Sequence, residues 1–239
     1  MRSLVFLVIT SLGLLISSCD NLNSSSQNGS ADKKDNSIEK QIERYDNGVI
    51  HKIARVVDGK LNGVQEIYNT KGELQNTINY VNGIKEGESV IYFKDGKKYR
   101  ITPHINGLVD GVRKKFRNDG RIWSTQNYKK GMPENNLKEY SESGKLKSIP
   151  KLIIKKTYFK DGSVQVKLSV KGNYKRVKYF EGELKEGKYF DKKGVSTVST
   201  QNRSKASFTL NSVNKSYNII AQVTTQGNNH LFLVKKISL

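Results

Sequence analysis

The 239-residue chain contains one cysteine, one tryptophan, three prolines and three histidines. A single cysteine excludes a disulfide framework within the chain. His51, His104 and His230 are scattered, and no His, Asp or Glu cluster has metal-ligand spacing. Neither a calcium loop nor a glycine-rich phosphate loop ahead of a helix is present. No metal site, no cofactor and no enzymatic activity are therefore expected. Hydrophobic residues make up only 35% of the chain, low for a globular protein of this length. The apolar run from Leu4 to Ile16 falls short of the roughly 20 residues that a membrane-spanning helix needs.

What the chain has in abundance is phased glycine. Gly48, Gly72, Gly96, Gly120 and Gly144 are 24 residues apart, as are Gly59, Gly83, Gly107 and Gly131. A third series runs Gly63, Gly87, Gly111, with Asn135 in the next slot, where its tolerance of positive φ is expected to preserve the turn. Such a register marks an internal repeat. Most of these glycines close Asn-Gly or Asp-Gly pairs, the dipeptides of type I′ hairpin turns. Between them lie runs of about five to seven residues rich in Ile, Val, Tyr, Thr and Phe. Each 24-residue unit is thus expected to form two short antiparallel strands.

Aromatic residues keep the same phase. Tyr68, Tyr92, Phe116 and Tyr140 each precede their glycine by four residues, and a second column holds Val56, Tyr80, His104 and Tyr128. Both columns are expected to form structural ladders across the sheet. A third column, His51, Gln75, Tyr99 and Trp123, falls on the face opposite Tyr80 and Tyr128 if the strands alternate regularly. Tyr99 and Trp123 are the candidate binding residues, as exposed rings for a glycan or a partner's apolar side chains. Glu86, Asp110 and Glu134 form a further column, expected to be a solvated row beside the second turn.

At the N-terminus, Ile16-Ser17-Ser18-Cys19 follows the apolar run that begins behind Arg2. This arrangement resembles the lipobox of a bacterial lipoprotein precursor. It implies cleavage of a signal peptide at 1–18, lipidation of Cys19 and anchoring to a membrane of the bacterial cell envelope, inner or outer. Residues 19–40 then comprise the lipidated cysteine and a Ser/Asn/Asp/Lys-rich flexible tether.

The pattern Val81-Asn82-Gly83-Ile84-Lys85-Glu86-Gly87, continuing through Tyr92-Phe93-Lys94-Asp95-Gly96, resembles the bacterial variant of the MORN repeat, a family that includes proteins labelled YwqK-type antitoxins. The resemblance covers the repeats within 41–149, and the last unit departs from it at Pro133-Glu134-Asn135, where a distorted second hairpin or a cap is the alternative to a preserved turn. It implies an elongated, single-layer antiparallel sheet of β-hairpins and a scaffold role. Such a sheet needs little core, which suits the low hydrophobic content.

Pro150 ends the periodicity. Residues 150–239 alternate as short strands, as in Ser163 to Val170 and Tyr217 to Val223, and are expected to form a small β-sandwich. Their ordering resembles immunoglobulin-like modules; the alternative is degenerate repeats, echoed by Gly182, Gly187 and Gly194. The fold class expected is all-β throughout.

The formal charge is +20, and residues 151–239 hold 18 basic and 5 acidic residues. Candidate neighbours of that segment are anionic head groups, envelope polymers or an acidic protein. Nucleic acid is not expected, since export removes the chain from it and no recognition motif appears. The expected function is a noncatalytic envelope lipoprotein that presents its repeat sheet to a protein or surface polymer. The alternatives are an electrostatic tether to anionic lipid or polymer, and an antitoxin or immunity-type protein, the latter from the family label alone.

Overall fold

The computed structural model describes residues 38–198, 205–210 and 215–238. Cys19, the signal segment and most of the expected tether lie outside the described residues. Among the described residues the first strand is Ile38–Arg44, which overlaps the range read as tether.

The repeats build one antiparallel sheet from β1 (Ile38–Arg44), β2 (Ile50–Val57), β3 (Lys60–Leu61), β4 (Gly63–Tyr68), β5 (Leu74–Val81), β6 (Ile84–Tyr92), β7 (Lys98–Ile105), β8 (Leu108–Val109), β9 (Gly111–Phe116), β10 (Ile122–Lys129), β11 (Met132–Pro133) and β12 (Lys138–Glu139). The strand order is β1-β2-β4-β5-β6-β7-β9-β10-β11, with β3, β8 and β12 pairing β2, β7 and β10.

Two kinds of turn alternate along this sheet. At Asp58-Gly59, Asn82-Gly83, Asn106-Gly107 and Lys130-Gly131 both residues have positive φ, which makes them two-residue type I′ loops. In the series from Gly48 to Gly144 only the glycine is left-handed, and the loop has three residues. Gly48 N–H donates to Tyr45 O and Tyr45 N–H to Val49 O, a pattern repeated at Phe93 to Lys97 and Arg117 to Arg121. The expectation of type I′ turns throughout therefore holds for one glycine series and fails for the other. Successive type I′ tips are linked, because the N–H of Gly83, Gly107 and Gly131 donates to Leu61 O, Lys85 O and Val109 O of the preceding unit.

Beside each three-residue loop the pairing register slips by one. His51, Gln75, Tyr99 and Trp123 are the unpaired extra residues, lying between the pairs Arg44↔Ile50 and Glu43↔Lys52, and at the matching places of the next three units. They are β-bulges, which break the alternation of side chains. The third glycine series sits within the strands. Gly63 faces Tyr80, Gly87 faces His104 and Gly111 faces Tyr128, so each ring of the second column lies opposite a residue without a side chain. Asn135 does not continue that series: it is absent from the positive-φ residues, and its N–H donates to Lys188 O of the C-terminal segment instead.

Among its described residues that segment is a seven-stranded sandwich. Its strands are β13 (Lys151–Tyr158), β14 (Val164–Lys171), β15 (Arg176–Gly182), β16 (Val195–Val198), β17 (Lys205–Leu210), β18 (Ser216–Thr224) and β19 (His230–Ser238). One sheet has the order β13-β14-β17 and the other β16-β15-β18-β19, so the chain crosses between sheets three times. Degenerate hairpin repeats, which keep each strand beside its predecessor, do not describe this topology. Strand β14 shows why the sheets stack: Val164, Val166, Leu168 and Val170 are buried while Lys167 and Lys171 are exposed. They meet Val177, Tyr179, Ile219, Ala221 and Val223 from the facing sheet. Full burial of one such side chain contributes about 1.5–3 kcal/mol. On the other side of the four-stranded sheet, Phe190 stacks on Phe232 with centroids 4.5 Å apart, beside Phe180 and Ile220. The repeat sheet buries far less, chiefly Ala54, Val56 and Val90 among apolar residues. Both parts fall within one compact unit, residues 36–239.

Candidate functional site

One face of the last two repeats is built from strands β7, β9 and β10. Arg113 and Lys115 lie opposite Gln126 and Ser124, and Arg100 lies opposite Lys115. Alternate positions of a strand share a face, so the run from Val112 to Arg117 places Arg113, Lys115 and Arg117 together.

The β18–β19 loop docks on this face. Lys115, only 5% exposed, donates from Nζ to Gly227 O at 2.9 Å. Asn229 Nδ2 donates to Ser124 Oγ at 3.1 Å and to a carboxylate oxygen of Glu139. The same Glu139 oxygen accepts from Thr225 Oγ1 at 2.6 Å, and Gln126 Nε2 donates to His230 O at 2.9 Å. The seam continues through backbone bonds, with Phe190 N–H donating to Pro133 O. Burial, and then the nearby Arg100 and Arg113, push the Lys115 pKa down to about 8 against the pull of Glu139. His230 is held below its ordinary value by burial first and Lys115 second.

Trp123 belongs to this seam. A Cβ on Gly227 would lie 2.8 Å from its ring, Arg117 sits over it at 5.7 Å and Lys115 at 6.0 Å. The expected exposed platform of Tyr99 and Trp123 is corrected accordingly. Their rings are half-buried, 6.5 Å apart, with Phe93 against Tyr99 at 5.1 Å. The expected face is also wrong for Trp123, which meets the same loop as Ser124 and Gln126. The bulge at Trp123 is the physical reason, since it removes the alternation on which that placement rested.

The expected ladders change as well. Equivalent backbone positions of successive units are two strands, about 9.6 Å, apart, a gap that the Tyr99 and Trp123 rings narrow to 6.5 Å and that the rings of the other two columns do not close among the described residues. Tyr68, Tyr92, Phe116 and Tyr140 accordingly make no ring contacts with one another among the described residues. Tyr68 donates to Glu66 at 2.8 Å, Tyr92 lies 3.3 Å from Thr77 Oγ1, and Tyr140 O accepts from Arg117. In the second column, Tyr128 carries the Arg113 guanidinium at 4.2 Å and His104 Nδ1 lies 3.4 Å from Ser89 Oγ. The carboxylate column is not merely solvated. Glu86 accepts from Asn106 N–H at 2.8 Å and Asp110 from Lys130 N–H at 3.2 Å, each holding the next type I′ tip, while Glu134 accepts from the side chains of Asn127 and Asn136.

Next to the seam, a cavity of about 240 Å³ opens on the same face between β5 and β9. Lys85, Arg100, Arg113 and His104 line it. Residue-by-residue reading of the sequence missed this cationic group, although the alternating basic residues of β9 are a signal for it. Among the described residues no three His, Cys, Asp or Glu side chains come together to hold a metal.

Residues 61–82 match the MORN repeat variant. The matched stretch runs from Leu61, the last residue of β3, through β4 and β5 to the first residue of the Asn82-Gly83 tip. The neighbouring units repeat the geometry of this MORN-type hairpin, including its bulge, its in-strand glycine and its type I′ tip. Comparison with curated proteins and with solved structures finds no match. The chain is therefore a β-hairpin repeat scaffold joined to a β-sandwich.

Proposed function

We propose that the protein is a noncatalytic lipoprotein of the bacterial envelope, held at the membrane through Cys19, whose repeat sheet binds a partner protein. One observation carries the binding role. On the face away from the cationic residues, Val64, Val81, Ile84, Ile105, Leu108 and Val112 are 42–51% exposed. Val81 pairs with Ile84 and Ile105 with Leu108, at the tips of successive units. Exposed aliphatic side chains recurring along a sheet edge are typical of an interaction surface. The docked sandwich leaves this face open and occupies the opposite one, so the outer face replaces Tyr99 and Trp123 as the binding surface.

A second reading, an electrostatic tether, draws on the exposed Lys155, Lys167, Lys171 and Lys178 of the sandwich. A pull-down from detergent-solubilised envelope, with the full lipidated chain as bait, separates the two. One protein retained in near-stoichiometric amount at both low and high salt is expected, and it should be lost with the Ile84→Lys/Leu108→Lys variant. Recovery of only lipid or anionic polymer, and only at low salt, would favour the tether and sink the partner reading.

A further inference from the structure

We infer that the cavity between β5 and β9 is a binding site for a tetrahedral oxyanion of the phosphate type, free or carried on a larger molecule. The lining is the argument. Lys85, Arg100 and Arg113 bring three formal positive charges to a space of about 240 Å³, and no Asp or Glu lines it. Among the described residues none of the three makes an ion pair with a carboxylate, whereas Glu43, Asp95, Asp119 and Asp110 elsewhere on the sheet are paired with Lys52, Lys97, Arg121 and Lys129. Positive charge gathered in a partly desolvated space without compensation is the arrangement that an anion completes.

The donors point to phosphate rather than carboxylate. Arg100 donates no hydrogen bond among the described residues, and Arg113 uses one N–H, on Tyr128. The Nε of each is buried without an acceptor. Thr102 and Ser89 add hydroxyls to the lining. A carboxylate would neutralise one charge of three and offer two oxygens. A phosphate dianion neutralises two and offers oxygens on every side, which suits cations arriving from β6, β7 and β9. Asn76 Oδ1, also buried without a donor, gives the protonated oxygen of hydrogen phosphate a place to donate. The rigid sheet fixes these groups: Ser89 pairs with Thr102 and Gly87 with His104 across β6 and β7, and Arg100 is held opposite Ile91.

His104 supplies an internal reporter. Burial first, then Lys85 and Arg113, hold its pKa below the ordinary histidine value, and Arg100 faces the same cavity. A dianion among those cations should raise it.

The test is calorimetric titration of the full-length protein with inorganic phosphate at pH 7.5, at ionic strength fixed with chloride, with NMR of the His104 imidazole alongside. Phosphate is expected to bind at least tenfold more tightly than acetate and to raise the His104 midpoint. Lys85→Gln, at the half-exposed rim, and Arg100→Gln should each weaken phosphate at least tenfold, while Lys71→Gln on an exposed loop of the repeat sheet should not. Phosphatidylcholine vesicles containing phosphatidic acid distinguish the sources: competition with inorganic phosphate marks a lipid-borne group, and its absence marks a soluble one. Phosphate no tighter than acetate, an unmoved His104, or full affinity in folded Lys85→Gln would overturn the inference. The outer-face variant that tests partner binding leaves this titration unchanged, so the two readings fail separately.

Discussion

At Lys115 an ammonium is buried between two guanidinium groups, with one carbonyl as its acceptor and Glu139 as the nearby acid. Its folded pKa, about 8, lies below the ordinary lysine value of about 10.4. Below pH 8 both folded and unfolded chains hold this proton, and the cost of burying the charge stands in full. Between about pH 8 and 10.4 only the unfolded chain still holds it, so stability rises with pH across that window. Urea unfolding is therefore expected to show a positive pH slope in the native protein that Lys115→Met lacks. Arg100, Arg113, Glu139 and Lys175 also face this group and are common to both proteins, so the difference isolates Lys115. Equal slopes would contradict the assignment. The sequence marks Lys115 only as one member of an alternating basic run. Its burial depends on Gly227, 112 residues away, and no local pattern carries that information.

Turns are the elements most open to reading from sequence, because few residues adopt positive φ without strain. The type I′ slots hold Asp58, Asn82 and Asn106, and then Lys130 at φ 48°. Lysine has no side chain suited to the left-handed region, whereas asparagine tolerates it. Lys130→Asn is expected to stabilise the protein by about 0.5 kcal/mol, read as a shift of the urea midpoint at unchanged slope. No shift would mean that the Asp110 bond to the Lys130 N–H already offsets the strain. The bulges were not legible in the same way. His51, Gln75, Tyr99 and Trp123 share a position but no chemistry, and a bulge residue needs no special backbone composition to announce it. The bulge at Trp123 puts that side chain on the face opposite to the one that regular alternation predicts. The glycine register, by contrast, located each hairpin, because a two-strand unit repeats with its turn.

In the whole molecule, stability is distributed unevenly. Strand β1 is exposed along its full length and pairs only β2 among the described residues, whereas β14 and β18 line a well-packed core. A repeat array loses order from its ends unless they are capped. Here the C-terminal end is capped by the sandwich, through Lys188, Phe190 and the β18–β19 loop. Amide exchange is expected to be slowest in β14 and β18, slow in β9 and β10, and fastest in β1 and β2, as hydrogen–deuterium exchange mass spectrometry would show. Uniform protection from β1 to β10 would remove the capping argument.

The links between type I′ tips also set a unit of length. Each tip takes its acceptor only from the unit before it, as Gly107 does from Lys85, so no bond of this series spans more than one unit. A whole unit inserted or removed leaves every remaining tip with an equivalent acceptor. The sheet is thus a ruler graduated in steps of two strands, about 9.6 Å each. Its reach is set by counting units, with no redesign of the face that each one presents.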